Sequence, residues 1–338
     1  MAFRFVDGCD GYAASGDIVK KWNSRTGTGL TYQSTAGKFG GGSIQGAASV
    51  AGTITSPNIF GGISTGIVCF GWWLKHTVNS TANSNWFSIG AGGGFRWNAS
   101  GQMVLFCLNG AGIATGSKQI GDNQFHWIEM KLNIANSSNL QRVLVDGVSD
   151  INVTANLAGA SGQSLTTLGF TDNFTGVGTL DDIIAYDDTT GFPTTSDFPL
   201  GPRRIVTCFP NGDSAVQFAP NAGGTNYTQV DEAGADDDTT YVQGATGQQD
   251  LYDFQDLPYT PADISGVMLN VRWENPGAGT VNGQLIGKSS STQRNGSSIL
   301  VPAAYGPVAQ QEFGVDPNTS AAWTASNLNS AKFGQAVV

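Results

Sequence analysis

Histidine and glutamate are scarce in this chain: two of the first and four of the second in 338 residues. A nucleophile needs a base beside it. The only imidazoles are His76, just past a strand-like run, and His126, in Phe125-His126-Trp127, and no Gly-x-Ser-x-Gly elbow lies near either. Both histidines are therefore expected to be structural. The four glutamates, Glu129, Glu232, Glu274 and Glu312, lie far apart in sequence. Charge is thin as well. Charged residues make up 12% of the chain, against about 25% in ordinary soluble domains. Residues 1–199 carry 13 acids and 10 bases, and residues 200–338 carry 13 acids and 6 bases, so most of the net charge of −10 belongs to the second part. No basic stripe exists; Arg203-Arg204 is the one adjacent arginine pair. Nucleic acid is excluded as an expected partner.

Long apolar runs are missing too. None approaches the roughly 20 residues of a membrane helix, so no membrane insertion is expected. The start, MAFRFVDGCDGY, has neither the basic region nor the apolar stretch of a secretion signal. There are four cysteines and no Cys-x-x-Cys pair. Cys69 and Cys107 lie inside apolar runs, where a thiol behaves as a small hydrophobe. With Cys9 and Cys208 they are expected to be reduced, as in a cytoplasm.

What is present points to β-structure. Glycine supplies 47 residues, about twice the usual share of about 7%. Short apolar or alternating runs are separated by Gly, Asn and Ser turns. In Ile67–Lys75, Val68, Phe70, Trp72 and Leu74 share one face, and Cys69, Gly71 and Trp73 share the other. Both faces are apolar, which predicts an inner strand covered on each side. In Trp127–Ile134, the residues Ile128, Met130, Leu132 and Ile134 are expected inward. Glu129, Lys131 and Asn133 are expected outward on a half-exposed strand. Asp146-Gly147 predicts a hairpin turn.

Residues 187–202 (DDTTGFPTTSDFPLGP) carry three prolines and no periodicity. They predict a boundary: domain 1–190, linker 191–202, domain 203–338. The first domain is expected to fold alone. In the second, strands are expected at 203–209, 215–218, 227–230, 239–242, 264–273, 283–288 and 298–301, as in a β-sandwich or jelly roll. A short helix is expected over Trp323–Ala331, capped by Thr324 and stopped by Gly334, before a closing strand at 335–338.

Four motifs occur in order over residues 1–196: Lys38–Ser43 (KFGGGS), Ile67–Lys75 (IVCFGWWLK), Phe125–Gly147 and Leu180–Tyr186 (LDDIIAY). Together they resemble the concanavalin-like β-sandwiches of the laminin-G and pentraxin type. The resemblance implies an all-β, concanavalin-like jelly-roll sandwich, with the first Asp of Asp181-Asp182 holding turn amides. Glycosidases of this fold carry Glu-x-Asp-x-x-Glu on one strand, a spacing that no glutamate here has. The second part resembles C-terminal domains of tailed-bacteriophage virion proteins. The residues that carry this are Leu200–Arg204, Pro210–Asp213, Val230–Glu232, Asp238–Val242, Asp250–Tyr252 and Trp323-Thr324. That resemblance implies a non-enzymatic virion structural protein, a decoration, spike or minor component of capsid or tail, made in the host cytoplasm. A carbohydrate- or receptor-binding module of a tail fibre is the alternative, and a polysaccharide-active enzyme the distant one.

Other virion proteins are the expected partners, with a host-surface glycan the further option. A homo-oligomer is expected, a trimer ahead of a dimer, with an ion-poor interface. No catalytic residue and no cofactor are expected. Two features stay open. Asp231, Glu232, Asp236, Asp237, Asp238, Asp250, Asp253 and Asp256 form a segment without Lys or Arg, which fits a calcium loop, a solvated loop or an assembly contact. Trp22, Trp86 and Trp97 fit either sugar stacking or the core.

Overall fold

A computed structural model describes residues 3–47, 50–77, 85–90, 93–158, 164–172, 177–188 and 193–338, apart from the side chains of Asn85 and Trp86. The chain forms two compact units. One holds the described residues up to 188 together with Thr194–Ile205, and the other holds Val206–Val338.

The first unit is a β-sandwich of two antiparallel sheets. The eight-stranded sheet runs Val148–Ala155, Asn139–Val145, Asp122–Ile134, Gly66–Thr77, Gly178–Asp187, Ser43–Gly46, Leu30–Gln33, with Phe3–Asp7 also on Gly178–Asp187. The seven-stranded sheet runs Gly112–Gln119, Gln102–Phe106, Gly93–Trp97, Asn85–Ile89, Leu168–Asp172, Gly52–Thr55, Ser24–Gly27. Period-two alternation sends Val68, Phe70, Trp72 and Leu74 between the sheets. There the Trp72 indole stacks on Phe87, with centroids 4.6 Å apart, and on Phe95 at 5.7 Å. The turn at Asp146-Gly147 joins Val145 to Val148, both residues at positive φ (53° and 74°), as a two-residue hairpin requires.

The opposite face of Gly66–Thr77 is buried as expected, and Thr194–Ile205 shows why. Glu129 was expected outward, yet it is 1% exposed. The stretch Thr194–Ile205, which composition marks mostly as linker, lies across this face as a strap. Leu200 N donates to Glu129 Oε1 at 2.7 Å and Gly201 N to Oε2 at 3.1 Å. Lys131 Nζ donates to Thr195 O at 2.6 Å, and Trp73 Nε1 to Arg203 O at 2.8 Å. Ile205 N donates to Asp182 Oδ1 at 2.9 Å. Trp127 and Trp73 meet edge-on at 5.5 Å beneath the strap. Gly71 makes room, since a Cβ there would press on the Trp127 ring at 2.6 Å. A third layer therefore covers what would otherwise be the sandwich's outer surface.

In the second unit a six-stranded sheet runs Pro210–Ala215, Gln249–Phe254, Lys332–Val337, Asn282–Ser289, Thr292–Asn295, with Ile299–Leu300 also on Asn282–Ser289. Gln293 Nε2 donates to Gln249 Oε1 at 3.2 Å. Val267–Val271 and Ala309–Phe313 make a separate two-stranded ribbon, and Ala219–Pro220 pairs with Val242–Gln243. The helix is Ala325–Ser330, and Thr324 caps it by accepting from Asn327 N. Several expectations are corrected. The helix ends at Ser330, and Gly334 lies inside the closing strand Lys332–Val337. Tyr227–Gln229 is a 3-10 turn rather than a strand, since Asp213 accepts from Asn226 N and Tyr227 N and pulls that backbone out of a ladder. Residues 203–209 belong to no strand, and of the expected strands 215–218 and 239–242 only Ala215 and Val242 lie in one.

The two units differ in what they bury. Among the described residues one cluster of 35 side chains fills the first. In the second only nine apolar side chains are buried: Leu251, Tyr252, Leu285, Ile286, Phe313, Trp323, Ala331, Phe333 and Ala336. Val216, Tyr259, Leu300 and Val338 are exposed at 40–62%.

Candidate functional site

His76, His126 and Glu129 each make contacts within the first unit. His76 stacks on Trp97 at 5.5 Å inside the sandwich, and burial lowers it to about 4, so it is neutral. His126 sits between two carboxylates, Nδ1 2.7 Å from Asp146 Oδ2 and Nε2 3.0 Å from Asp122 Oδ1. Burial opposes its charge, but hydrogen bonds to Asp146 and Asp122 outweigh this and raise it. Glu129 is roofed by the strap. Burial raises its carboxyl, while Leu200 N and Gly201 N pull it back.

Asp181 and Asp182 close the strand Gly178–Asp187 against two other segments. Asp181 Oδ2 accepts from Lys38 N at 2.7 Å and Oδ1 from Asp182 N at 2.8 Å, so it holds the KFGGGS turn. Burial is the first cause that raises both carboxyls, Asp181 to about 7 and Asp182 well above the usual range, and the charge of Asp181 adds to the rise at Asp182. A folded value above the unfolded one means stability that is fully present below about pH 4. It is lost as pH rises through about 7. His126 has the same sign: its contribution is full below about 6.5 and lost above its raised value. The melting temperature of the first unit is therefore expected to fall between pH 4.5 and 8, a window of about those two shifts. Asp182→Asn keeps an acceptor for Ile205 N and tolerates the φ of 51° at this position. It should flatten the fall; a slope unchanged from wild type in a thermal scan series would contradict this.

The acidic segment 231–256 is dispersed. Asp253 pairs with Lys332, and Asp237 with Arg272 at 2.6 Å, so bases distant in sequence supply what the segment lacks. Glu232 and Asp236 both take the Thr240 hydroxyl, at 2.5 and 2.9 Å. Asp250 is fully buried and accepts from Gln217 N, Phe218 N, Asn226 Nδ2 and Tyr252 OH at 2.7–2.8 Å. Among the described residues no group of three His, Cys, Asp or Glu side chains could hold a metal ion.

Sugar stacking fares the same way at two of its three positions. Trp22 is 0% and Trp97 3% exposed, both in the core, and Trp22 Nε1 donates to the buried Asp7. The side chain of Trp86 lies outside the described residues. The open surface that sequence reading did not single out is the outer face of the seven-stranded sheet. Thr53, Thr55, Thr171, Ser88, Arg96, Val104 and Phe106 are half-buried there, alternating with the core residues Ile54, Phe170, Phe87, Phe95 and Leu105. Small residues line up across the strands, Gly94 with Ser88, Ser88 with Gly169, Gly169 with Thr55. At one end the Arg96 guanidinium lies 4.0 Å over the Phe106 ring. The signal was present as Thr-x-Thr alternation, but polar alternation marks every exposed sheet face equally.

No family model matches the chain, and no curated protein matches it. Solved structures do. The binding domain of Paraclostridial mosquitocidal protein 1 has a TM-score of 0.37 at 12% identity, over 55% of this chain and 48% of that one. A carbohydrate esterase of the Shiga toxin-encoding bacteriophage phi24B has 0.35 at 15%, over 51% of this chain and 93% of that one. The cellulose-induced protein Cip1 has 0.34 at 13%, over 54% and 96%. This chain thus spans about half the length of the first of these.

Proposed function

We propose that the protein is a non-enzymatic structural component of a tailed-phage particle, assembling on capsid or tail as a decoration, spike or minor component. The observation that carries this reading is the thin core of the second unit. Nine buried apolar side chains serve 133 residues, while Leu300 stands 62% exposed. A unit of this size normally buries about two thirds of its chain surface. Contacts with neighbouring proteins supply the rest in an assembled particle. Few charges have to leave water in such contacts, which lowers their desolvation cost. Gold-labelled antibody on intact particles, viewed by electron microscopy, should mark a fixed site on head or tail. Labelling of free protein alone would refute the proposal.

The protein is not expected to hydrolyse glycans. Incubation with host polysaccharides should release no reducing ends above background. A reproducible activity that Glu129→Gln abolishes would overturn this. A second reading, a glycan-binding module, is favoured by one feature, the Arg96–Phe106 pair beside the small-residue row on the open sheet face. If it holds, wild type should bind host polysaccharide and Phe106→Ala should weaken binding by about tenfold, the effect of one stacking contact of roughly 1–1.5 kcal/mol.

A further inference from the structure

The ribbon of the second unit has an open edge that lacks the usual protection. Val267–Val271 pairs with Ala309–Phe313 in continuous antiparallel register, Val267 opposite Phe313 through Val271 opposite Ala309. Neither strand pairs with any other among the described residues. Two strands alone are marginal in water. The strand Val267–Val271 reads Val-Met-Leu-Asn-Val, without charge or proline; Asn270 is exposed and the other four residues are half-buried. Exposed edges of that kind are normally blunted by Lys, Pro or a bulge. The adjacent cation, Arg272, does not guard this one: it pairs with Asp237 at 2.6 Å and lies over the Tyr305 ring at 5.3 Å.

We infer that Val267–Val271 pairs with the same strand of a second copy of this chain, antiparallel about a two-fold axis at Leu269. The inference rests on the assembly reading above and names its first partner. The strand is self-complementary in that register. Leu269 meets Leu269, Val267 meets Val271, and Met268 meets Asn270, so no like charges oppose and every close pair is apolar or neutral. The apolar stripe of Val267 and Leu269, already packed against the Phe313 core, then continues into the neighbour as part of a four-stranded sheet. An isologous edge of this kind closes as a dimer; a trimer would need a different, head-to-tail surface.

The full-length protein is the test material, followed by sedimentation velocity from ~1 to ~100 µM, the range in which a small interface dissociates. Wild type should move from monomer to dimer, with little dependence on salt. Met268→Lys with Asn270→Lys sets lysines opposite lysines in two symmetry-related pairs, and should weaken the dimer by roughly tenfold or more. Met268→Lys with Asn270→Asp sets opposite charges together, and should restore the dimer and make it salt-sensitive. Amide hydrogen exchange at 267–271 should slow as the wild-type protein is concentrated. A wild type that is monomeric throughout, a trimer, or a dimer untouched by the double lysine variant overturns the inference. Particle association is scored separately. Protein found on particles but monomeric when purified would refute the edge pairing and leave the assembly reading standing.

Discussion

Ending the chain at residue 190 should leave the first unit aggregated, whereas ending it at residue 205 should give a soluble, cooperatively melting β-protein. The difference is the strap. Thr194–Ile205 buries Phe198 and Leu200 to 7% and 9% exposure and roofs Trp73 and Trp127. Full burial of each such side chain contributes about 1.5–3 kcal/mol. Losing several of them removes much of a stability that is about 5–15 kcal/mol in a typical domain. The shortened fragment would also display Trp73, Trp127, Cys69 and Tyr186 on one open face, an apolar patch of the kind that drives association. Solubility and a thermal scan of the two fragments decide the matter. Equal behaviour of both would show that the strap is an ornament on a self-sufficient sandwich.

Asp250→Ala should unfold the second unit and leave the first intact. The carboxylate is fully buried and takes four donors, two of them backbone amides of the Gln217-Phe218 turn. Each buried donor left without a partner costs about 1–3 kcal/mol. A unit with so few buried apolar side chains has little to set against that sum. Limited proteolysis should cut the variant within residues 206–338 and spare the earlier strands. Cleavage in both units, or in neither, would contradict the prediction.

What is legible in this sequence follows from which forces are local. Strand Gly66–Thr77 was legible because its alternation reports two apolar faces, and both are buried. The Asp146-Gly147 turn and the Thr324 cap were legible because turn and cap chemistry needs only adjacent residues. The strap was not, since three prolines and no periodicity describe a linker and a tightly laid covering segment alike. What separates them is Glu129, 71 residues from the amide it accepts. The dispersal of the acidic segment was hidden for the same reason, as Lys332 lies 79 residues from Asp253. Trp22 and Trp97 left core and sugar-binding roles open, and only the packing against Phe5, Phe170 and Phe95 assigns them to the core.

Under the proposed function this chain would work as an assembled part of a particle, in place of a free enzyme or soluble lectin. Quantitative mass spectrometry of density-purified particles tests it most directly, by counting copies of this protein against the major capsid protein. The account predicts a fixed ratio that survives repeated purification and a high-salt wash, because the proposed contacts use few ions. Absence from washed particles, with the protein recovered free in the lysate, would contradict it.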